Sequence, residues 1–369
     1  MCIRDRHLLI DEARAQLPKL GQFIVEVVGI GDQRGVHRAI LSAAGLSQHI
    51  SASALPVART MPGMPSDPSS PPPAAAPGRS EAPWSTRRLL HWTTGHFESR
   101  DIDSPRVCAE MLLGHVLGVE RLRLYMEPDR PAAAEERDAF RALVTRAAAH
   151  EPVDYLVGKS PFFGLELEVG PDVLIPRPST ETLVEFVQQD ARSRERADPA
   201  IADVCTGCGA VAVALARHLP AAQCVATDLS EAALAVAGRN AQATGVSDRI
   251  DFRHGDLYAP LGGARFDYLL SNPPYIRDTE WAEVAANVRD YEPVTALRSG
   301  VDGLDHLKPL IAGAADHLSP GGVALFEHAA SHEDEVLALA RDAGFTDAHV
   351  LRDHERLPRV LVLATPAAG

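Results

Sequence analysis

A short motif, Asn272-Pro273-Pro274-Tyr275, carries the clearest chemical signal in the sequence. It directly follows an apolar, strand-like run that ends at Ser271. The two prolines fix the backbone just beyond that strand and aim the flanking groups at the crevice above a sheet. Asn272 offers a side-chain oxygen as an acceptor, the Pro273 carbonyl offers a second, and Tyr275 offers a flat face. The motif therefore predicts a clamp for a planar group that carries an NH2, whereas a purely structural turn would need only the prolines.

A glycine-rich turn lies upstream, at Cys205-Thr206-Gly207-Cys208-Gly209, between a strand-like run and a helical pattern. Gly207 and Gly209 let the backbone pass close beneath a ligand at the carboxyl end of a sheet. The next strand-like run ends in Asp228, about 20 residues further on, where a carboxylate commonly accepts hydrogen bonds from ribose hydroxyls. Together these features predict a cofactor that contains adenosine. The alternative is an ordinary strand-to-helix turn, in which Asp228 serves the N-terminus of the next helix.

Cysteines stand within this turn at a spacing that can indicate zinc or redox chemistry. Cys205 and Cys208 form a Cys-x-x-Cys pair, but no second Cys or His pair with ligand spacing accompanies them, and we predict no metal. The five cysteines of the chain form an odd, scattered set. Such a set does not indicate a disulfide framework and fits a reducing compartment.

Strand-like and helical segments alternate from about residue 180 onward, an order that predicts an α/β fold with a doubly wound, mostly parallel sheet. The last two strand-like runs are joined by a short polar loop that leaves no room for a crossover helix. We therefore expect them to form an antiparallel hairpin at the sheet edge. The seven strand-like runs are 201–204, 223–227, 250–254, 266–271, 323–327, 349–352 and 359–364.

Composition divides the rest of the chain. Residues 56–83 hold nine of the 28 prolines among Ser, Ala and Gly, which predicts a flexible linker. Residues 1–55 are too weakly patterned to assign, and an extraneous fusion is one interpretation of them. Helical spacing predicts a small helical substrate-recognition domain at 84–151, with helices at 87–96, 104–124 and about 134–149. Alternating residues predict a linking β-hairpin at 152–176 that includes Tyr155-Leu156-Val157, before the main domain at 177–369.

Charge and hydropathy exclude two classes of partner. Residues 84–369 hold 28 basic and 43 acidic residues, a net charge of −15, which argues against broad capture of a phosphate backbone. We therefore expect no direct nucleic-acid partner. No apolar run approaches the roughly 18 residues of a membrane-spanning helix, and the opening residues are too charged for a signal peptide. We expect a cytoplasmic protein without a membrane partner.

The motifs together resemble those of class I S-adenosylmethionine methyltransferases that act on amino or amide nitrogen. Residues from about 84 to 364 resemble more closely the peptide chain release factor glutamine N5-methyltransferases. One difference is Cys205, which stands where that family often has glycine. Further motifs that carry the resemblance are Ser-Pro-Arg at 104–106, Tyr-Leu-Val-Gly at 155–158, Leu-Ile-Pro-Arg-Pro-Ser-Thr-Glu at 174–181 and Tyr-Glu-Pro at 291–293.

This resemblance implies a Rossmann-like seven-stranded sheet and an enzyme that methylates the side-chain amide nitrogen of the glutamine in a Gly-Gly-Gln motif. The methyl donor would be S-adenosylmethionine, the product S-adenosylhomocysteine, the partner a release factor, and the enzyme a monomer without a metal. Asn272, Pro273, Pro274 and Tyr275 would bind the glutamine, with Asn272, Pro273 and Tyr275 as the catalytic residues. The cofactor contacts would be Cys205, Thr206, Gly207, Cys208, Gly209, Asp228, Asp256, Leu257 and Asn272.

Other functions share part of this pattern. A DNA amino-methyltransferase uses a similar clamp on a flipped base but would normally show a basic target-reading region. A glutamine methyltransferase that acts on a ribosomal protein would share every motif near the chemistry. A nicotinamide dehydrogenase would share the glycine turn and Asp228 but has no use for Asn272 and Tyr275. A degenerate binding module would not need these residues intact.

Two further pairs of charged residues have a structural and a functional interpretation. Arg177 and Glu181 suit the closing of a cofactor pocket, but Thr180 and Glu181 suit the start of a helix equally well. Glu327 and His328 end a strand-like run. There we expect a satisfied strand-end pair rather than a part of the site.

Overall fold

The structure is a computed structural model that describes residues 83–366. The expectations for residues 1–55 and for most of the proline-rich linker lie outside the described residues. The chain divides into two compact units. In the described part, the smaller unit is Thr94–Pro105, which holds the end of one helix and the turn after it, and the larger unit contains everything else, including the sheet.

Four helices open the described part, and one of them is shorter than its pattern predicts. We expected a single helix over 104–124, but that helix ends at Leu117 because Gly118 takes a φ of +63°, and a second short helix follows. Glu110 joins the two helices, since its buried carboxylate accepts hydrogen bonds from Arg106, Arg121 and Tyr125. The four helices are α1 (Thr86–Glu98), α2 (Pro105–Leu117), α3 (Arg121–Met126) and α4 (Ala134–Ala147).

The linking segment is part helix and part hairpin. Residues Val153–Val157 form a short helix, α5, so the prediction that Tyr155-Leu156-Val157 belongs to a hairpin is wrong. Val153 and Leu156 are both buried, a helical spacing, and Gly158 ends the helix with a φ of +74°. The hairpin itself pairs only β1 (Lys159–Phe162) with β2 (Leu165–Glu168).

A seven-stranded sheet forms the centre of the larger unit and confirms the predicted α/β fold. The strand order is β5-β4-β3-β6-β7-β9-β8, in which β9 runs antiparallel to both β7 and β8 and the other pairs are parallel. The strands are β3 (Ala200–Val204), β4 (Gln223–Asp228), β5 (Ile250–His254), β6 (Phe266–Ser271), β7 (Leu318–Glu327), β8 (Asp347–Arg352) and β9 (Pro358–Ala364).

Helices cover both faces of the sheet, so the central strands are apolar on both sides. The helices are α6 (Glu181–Ser193), α7 (Ala210–His218), α8 (Glu231–Ala243), α9 (Ala286–Arg289), α10 (Leu307–His317) and α11 (Glu333–Asp342). Ile201 of β3 packs into one buried cluster with the first three of these helices, and its neighbour Ala202 packs into a second cluster with α10 and α11. No helix of residues 83–366 is long and apolar enough to cross a membrane.

Candidate active site

The strand register brings the predicted site residues to one edge of the sheet. Val204 of β3 lies level with Thr227 of β4 and with Ser271 of β6. Because these strands are parallel, the residues that follow them meet at the same carboxyl edge. The Ser271 hydroxyl also donates a hydrogen bond of 2.7 Å to the Val204 carbonyl. The glycine turn, Asp228 and the Asn-Pro-Pro-Tyr motif therefore lie side by side.

The glycine turn has a backbone that few residue types adopt. Cys205, Gly207 and Gly209 all have positive φ, at 60°, 57° and 81°. A Cβ at Gly209 would lie 3.0 Å from the Cβ of Ala237, so this glycine allows α7 to approach α8 closely. A Cβ at Gly207 would meet no atom within 4 Å. The turn is thus tight at its helix side and open at Gly207, as a backbone cradle for a ligand requires.

Asp228 holds the turn and the following helix together. Its Oδ2 accepts a hydrogen bond from the Gly207 N–H at 2.8 Å, and its Oδ1 accepts one from the Ser230 N–H at 2.9 Å. Burial raises the pKa of this carboxyl, and the backbone hydrogen bonds act in the opposite direction. Asp228 therefore does serve the N-terminus of α8, which was the structural alternative for this residue. A carboxylate oxygen has more than one lone pair, so a ribose hydroxyl could bind as well.

Asp256 and Leu257 lie at the same edge, after β5. The Gly255 N–H donates to the Asp228 carbonyl at 3.0 Å, and the Thr227 hydroxyl donates to the Leu257 carbonyl at 3.3 Å. Asp256 is an exposed residue. These bonds hold the segment beside the end of β4, where the resemblance implied a cofactor contact.

The two cysteines of the turn are neutral. Burial raises the pKa of the Cys205 and Cys208 thiols to about 12, so both stay protonated near neutral pH. Within residues 83–366, no group of three or more His, Cys, Asp or Glu side chains is placed to hold a metal ion.

The clamp motif presents two free acceptors. The Asn272 Nδ2 donates to the Thr180 Oγ1 at 2.9 Å. No protein group in the described part of the chain donates to the Asn272 Oδ1 or to the Pro273 carbonyl. The backbone after the prolines is fixed, because the Tyr275 N–H donates to the Leu297 carbonyl at 3.2 Å. A planar group with two N–H bonds therefore has two acceptors available on a rigid support.

Glu327 lies beside the clamp motif, although the sequence led us to expect a satisfied strand-end residue there rather than a part of the site. Its carboxylate, fully buried at the end of β7, accepts hydrogen bonds from the hydroxyls of Thr180 at 2.7 Å, Ser179 at 3.2 Å and Tyr275 at 3.3 Å. Burial raises its pKa, which the hydroxyl donors partly offset. The neighbouring His328 has a different partner, since its Nδ1 contacts the Ala329 carbonyl at 2.8 Å. Only the position of Glu327 at the carboxyl end of a strand signalled its place in the site.

Arg177 and Glu181 support neighbouring segments. The Arg177 guanidinium donates to the Glu292 Oε1 at 2.6 Å, and the Ile175 N–H donates to the Oε2 of the same buried carboxylate at 3.1 Å. Glu181 accepts a hydrogen bond of 2.7 Å from the Phe163 N–H in the hairpin turn. The stretch from Ile175 to Glu181 is therefore held near its start by Glu292 and at its end by the hairpin turn.

The doubly wound sheet, the glycine turn, the acidic end of β4 and the motif after β6 define a Rossmann-like methyltransferase. Family models agree: residues 88–158 match the PrmC N-terminal domain and residues 178–289 match the methyltransferase small domain. The chain is also similar to proteins named release factor glutamine methyltransferase. It is 39% identical to one from Geobacter sulfurreducens over 75% of this chain and 96% of the relative. It is 42% identical to one from Chlorobaculum tepidum over 76% and 97%. The chain belongs to this family.

Proposed function

We propose that this chain transfers a methyl group from S-adenosylmethionine to the side-chain amide nitrogen, N5, of the glutamine in the Gly-Gly-Gln motif of peptide chain release factors. The observation that carries the proposal is the pair of free acceptors, the Asn272 Oδ1 and the Pro273 carbonyl, beside the glycine turn. An uncharged side-chain amide has two N–H donors that match them. The names of the relatives support a release factor as the protein substrate.

The residues around the turn fit the methyl donor. The backbone at Gly207 is open to a ligand, and the Asp228 carboxylate keeps lone pairs for the ribose. S-adenosylmethionine, when bound, supplies a methyl group on an electron-poor sulfonium, which makes that methyl group a strong electrophile. The residues that would hold it are Cys205, Thr206, Gly207, Cys208, Gly209, Asp228, Asp256, Leu257 and Asn272.

The chemical task of the chain's own residues is orientation. A glutamine amide nitrogen is a poor nucleophile because its lone pair is delocalised into the carbonyl. Asn272 and the Pro273 carbonyl would each accept one amide hydrogen, which orients the nitrogen and favours its pyramidal form. As the nitrogen gains the methyl group, it gives up one of these two hydrogens as a proton to water. Tyr275 would form the flat wall beside the amide plane. Orientation of this kind can contribute several kcal/mol, up to about 7–11 kcal/mol in the best intramolecular reactions.

The remaining parts of the chain have roles that follow from this reaction. We assign residues 84–151 to substrate recognition, residues 152–176 to a linking segment and residues 177–369 to the methyltransferase domain. The match of the PrmC N-terminal domain model to residues 88–158 supports a distinct role for the helical region. We expect the enzyme to act as a monomer in the cytoplasm, where release factors are found.

Substitution of the orienting residue tests the proposal. The variant Asn272→Ala should lower kcat by about a hundredfold, as the loss of one preorganised polar contact does in other enzymes. Its effect on the Kd of S-adenosylmethionine should be smaller. A matched control is Asn287→Ala, which removes an asparagine of α9 and should leave kcat unchanged. Wild-type kcat in the Asn272→Ala enzyme would refute the proposed role of the clamp.

A further inference from the structure

The orientation of one side-chain amide decides whether the clamp works. A planar amide such as Asn272 can rotate by 180° with almost no change in shape, which exchanges its oxygen and its NH2 group. With the oxygen toward the substrate, Asn272 accepts a hydrogen from the substrate amide. With the NH2 group in that place, two donors would face each other. The site therefore needs a device that selects one of the two orientations.

Thr180 supplies the selection through its single hydroxyl hydrogen. The hydroxyl donates to the Glu327 Oε2 at 2.7 Å, and this carboxylate oxygen is an acceptor. Since its hydrogen is committed to Glu327, the Thr180 oxygen can only accept from the other side. The group that it faces there is the Asn272 amide at 2.9 Å, which must present its Nδ2. The Oδ1 is thereby directed to the opposite side.

Glu327 holds both ends of the clamp motif. Besides Thr180, it receives a hydrogen bond of 3.3 Å from the Tyr275 hydroxyl. Glu327 has no exposed surface and Thr180 is 4% exposed, so water does not compete for these bonds. Three separate segments meet here: the start of α6, the end of β6 and the end of β7.

We propose, on the basis of the function proposed above, that Glu327 and Thr180 are positioning residues that fix the Asn272 amide with its oxygen toward the substrate glutamine. Neither residue need touch the glutamine. Glu327 acts through Thr180 on one end of the motif and directly on Tyr275 at the other. The hydrogen bonds from Asn272 to Thr180 and from Thr180 to Glu327 keep the Asn272 oxygen facing the substrate. Without them the amide could rotate and present its NH2 group instead.

The first test compares three substitutions at neighbouring hydroxyls. Thr180→Val keeps the shape but removes the hydroxyl, Thr180→Ser keeps the hydroxyl, and Ser179→Ala removes a hydroxyl that binds Glu327 but not Asn272. We expect kcat to fall about ten- to a hundredfold in Thr180→Val, a loss typical of removed supporting hydrogen bonds. Thr180→Ser should restore most of kcat, and Ser179→Ala should lower kcat less than Thr180→Val, because it removes one hydrogen bond to Glu327 and none to Asn272. The Kd of S-adenosylmethionine, measured by calorimetry, should change less than kcat in all three.

Glu327→Gln tests the carboxylate. Glutamine has one oxygen and one NH2 group, and the oxygen is expected to remain with the hydroxyls of Ser179 and Tyr275. The NH2 group then donates to Thr180, whose own hydrogen is released to bind the Asn272 Oδ1. That exchange turns the amide around, so kcat should fall as far as in Thr180→Val. Wild-type kcat in Glu327→Gln would overturn the role of Glu327.

A double-mutant cycle separates positioning from simple stabilisation of the fold. In the Asn272→Ala background, Thr180→Val should cause no further loss of kcat, because there is no amide left to orient. Equal losses in both backgrounds would show a merely structural role and overturn the inference. If the wild-type enzyme transfers no methyl group to glutamine, the proposed function itself fails. If it is active and Thr180→Val is equally active, only the positioning inference fails.

Discussion

Replacement of Asp228 by alanine should weaken cofactor binding by an amount that the structure lets us estimate. The side chain is a carboxylate at the carboxyl edge of the sheet, and it already binds the N–H groups of Gly207 and Ser230. A hydrogen bond to a charged group contributes roughly 1.5–3 kcal/mol. Since each 1.4 kcal/mol is about a tenfold change in Kd, the Kd of S-adenosylmethionine should rise about ten- to a hundredfold. Titration calorimetry measures this directly.

The variant Ser230→Ala is the matched control for Asp228→Ala. Ser230 caps α8 by accepting a hydrogen bond from the Ala233 N–H at 3.1 Å. Its removal should cost about 1 kcal/mol of helix stability, which thermal unfolding records, without a change in the Kd. An unchanged Kd in Asp228→Ala would refute the ribose contact. An equal rise in both variants would show that cofactor binding depends on the start of α8 rather than on the carboxylate.

Three further predictions concern stability and the extent of the active chain. Gly209→Ala should lower the free energy of unfolding in urea more than Gly207→Ala, because only at Gly209 would the added methyl group meet a neighbour, at 3.0 Å; equal losses would contradict this. Burial raises the pKa of Asp203 from 3.8 to about 7, so the folded state binds a proton that the unfolded chain has lost, and stability should fall as pH rises from about 4 to 7. Asp203→Asn should flatten that decrease in pH-dependent thermal unfolding, and an unchanged slope would contradict the assignment. A chain that begins at Pro83 should keep wild-type kcat, because the matches to the family models lie at residues 88–158 and 178–289; inactivity of a folded chain of this length would show that the boundary is misplaced.

The architecture of the sheet was predictable because its strands carry strong local signals. Parallel strands buried on both faces are short apolar runs bounded by turn residues, and the short loop before β9 leaves no room for a crossover helix. The errors lie where a single glycine decides the outcome. Gly118 ends α2, and Gly158 ends α5, through left-handed backbone conformations that apolar spacing does not encode.

The residues of the candidate site were predictable from the sequence only where they lie at or directly after the end of a strand. Asn272 and Asp228 directly follow apolar runs, so the topology of a parallel sheet places them at one edge. Thr180 is 92 residues from Asn272 and 147 residues from Glu327. A hydrogen-bonded series over such separations depends on tertiary packing, and Thr180 looked equally suited to the start of a helix. In the sequence Glu327 looks like any buried residue at the end of a strand. Only its hydrogen bonds to three hydroxyl groups, which depend on the folded structure, distinguish it.

The most direct test of the account is to locate the transferred methyl group. The wild-type enzyme is incubated with labelled S-adenosylmethionine and a release factor, and in parallel with ribosomal proteins and with duplex DNA. Tandem mass spectrometry of the peptide that contains Gly-Gly-Gln should place the label on the glutamine N5. A release factor in which that glutamine is replaced by glutamate should receive no label. Label in DNA bases or in a ribosomal protein, with an unlabelled release factor, would contradict the account.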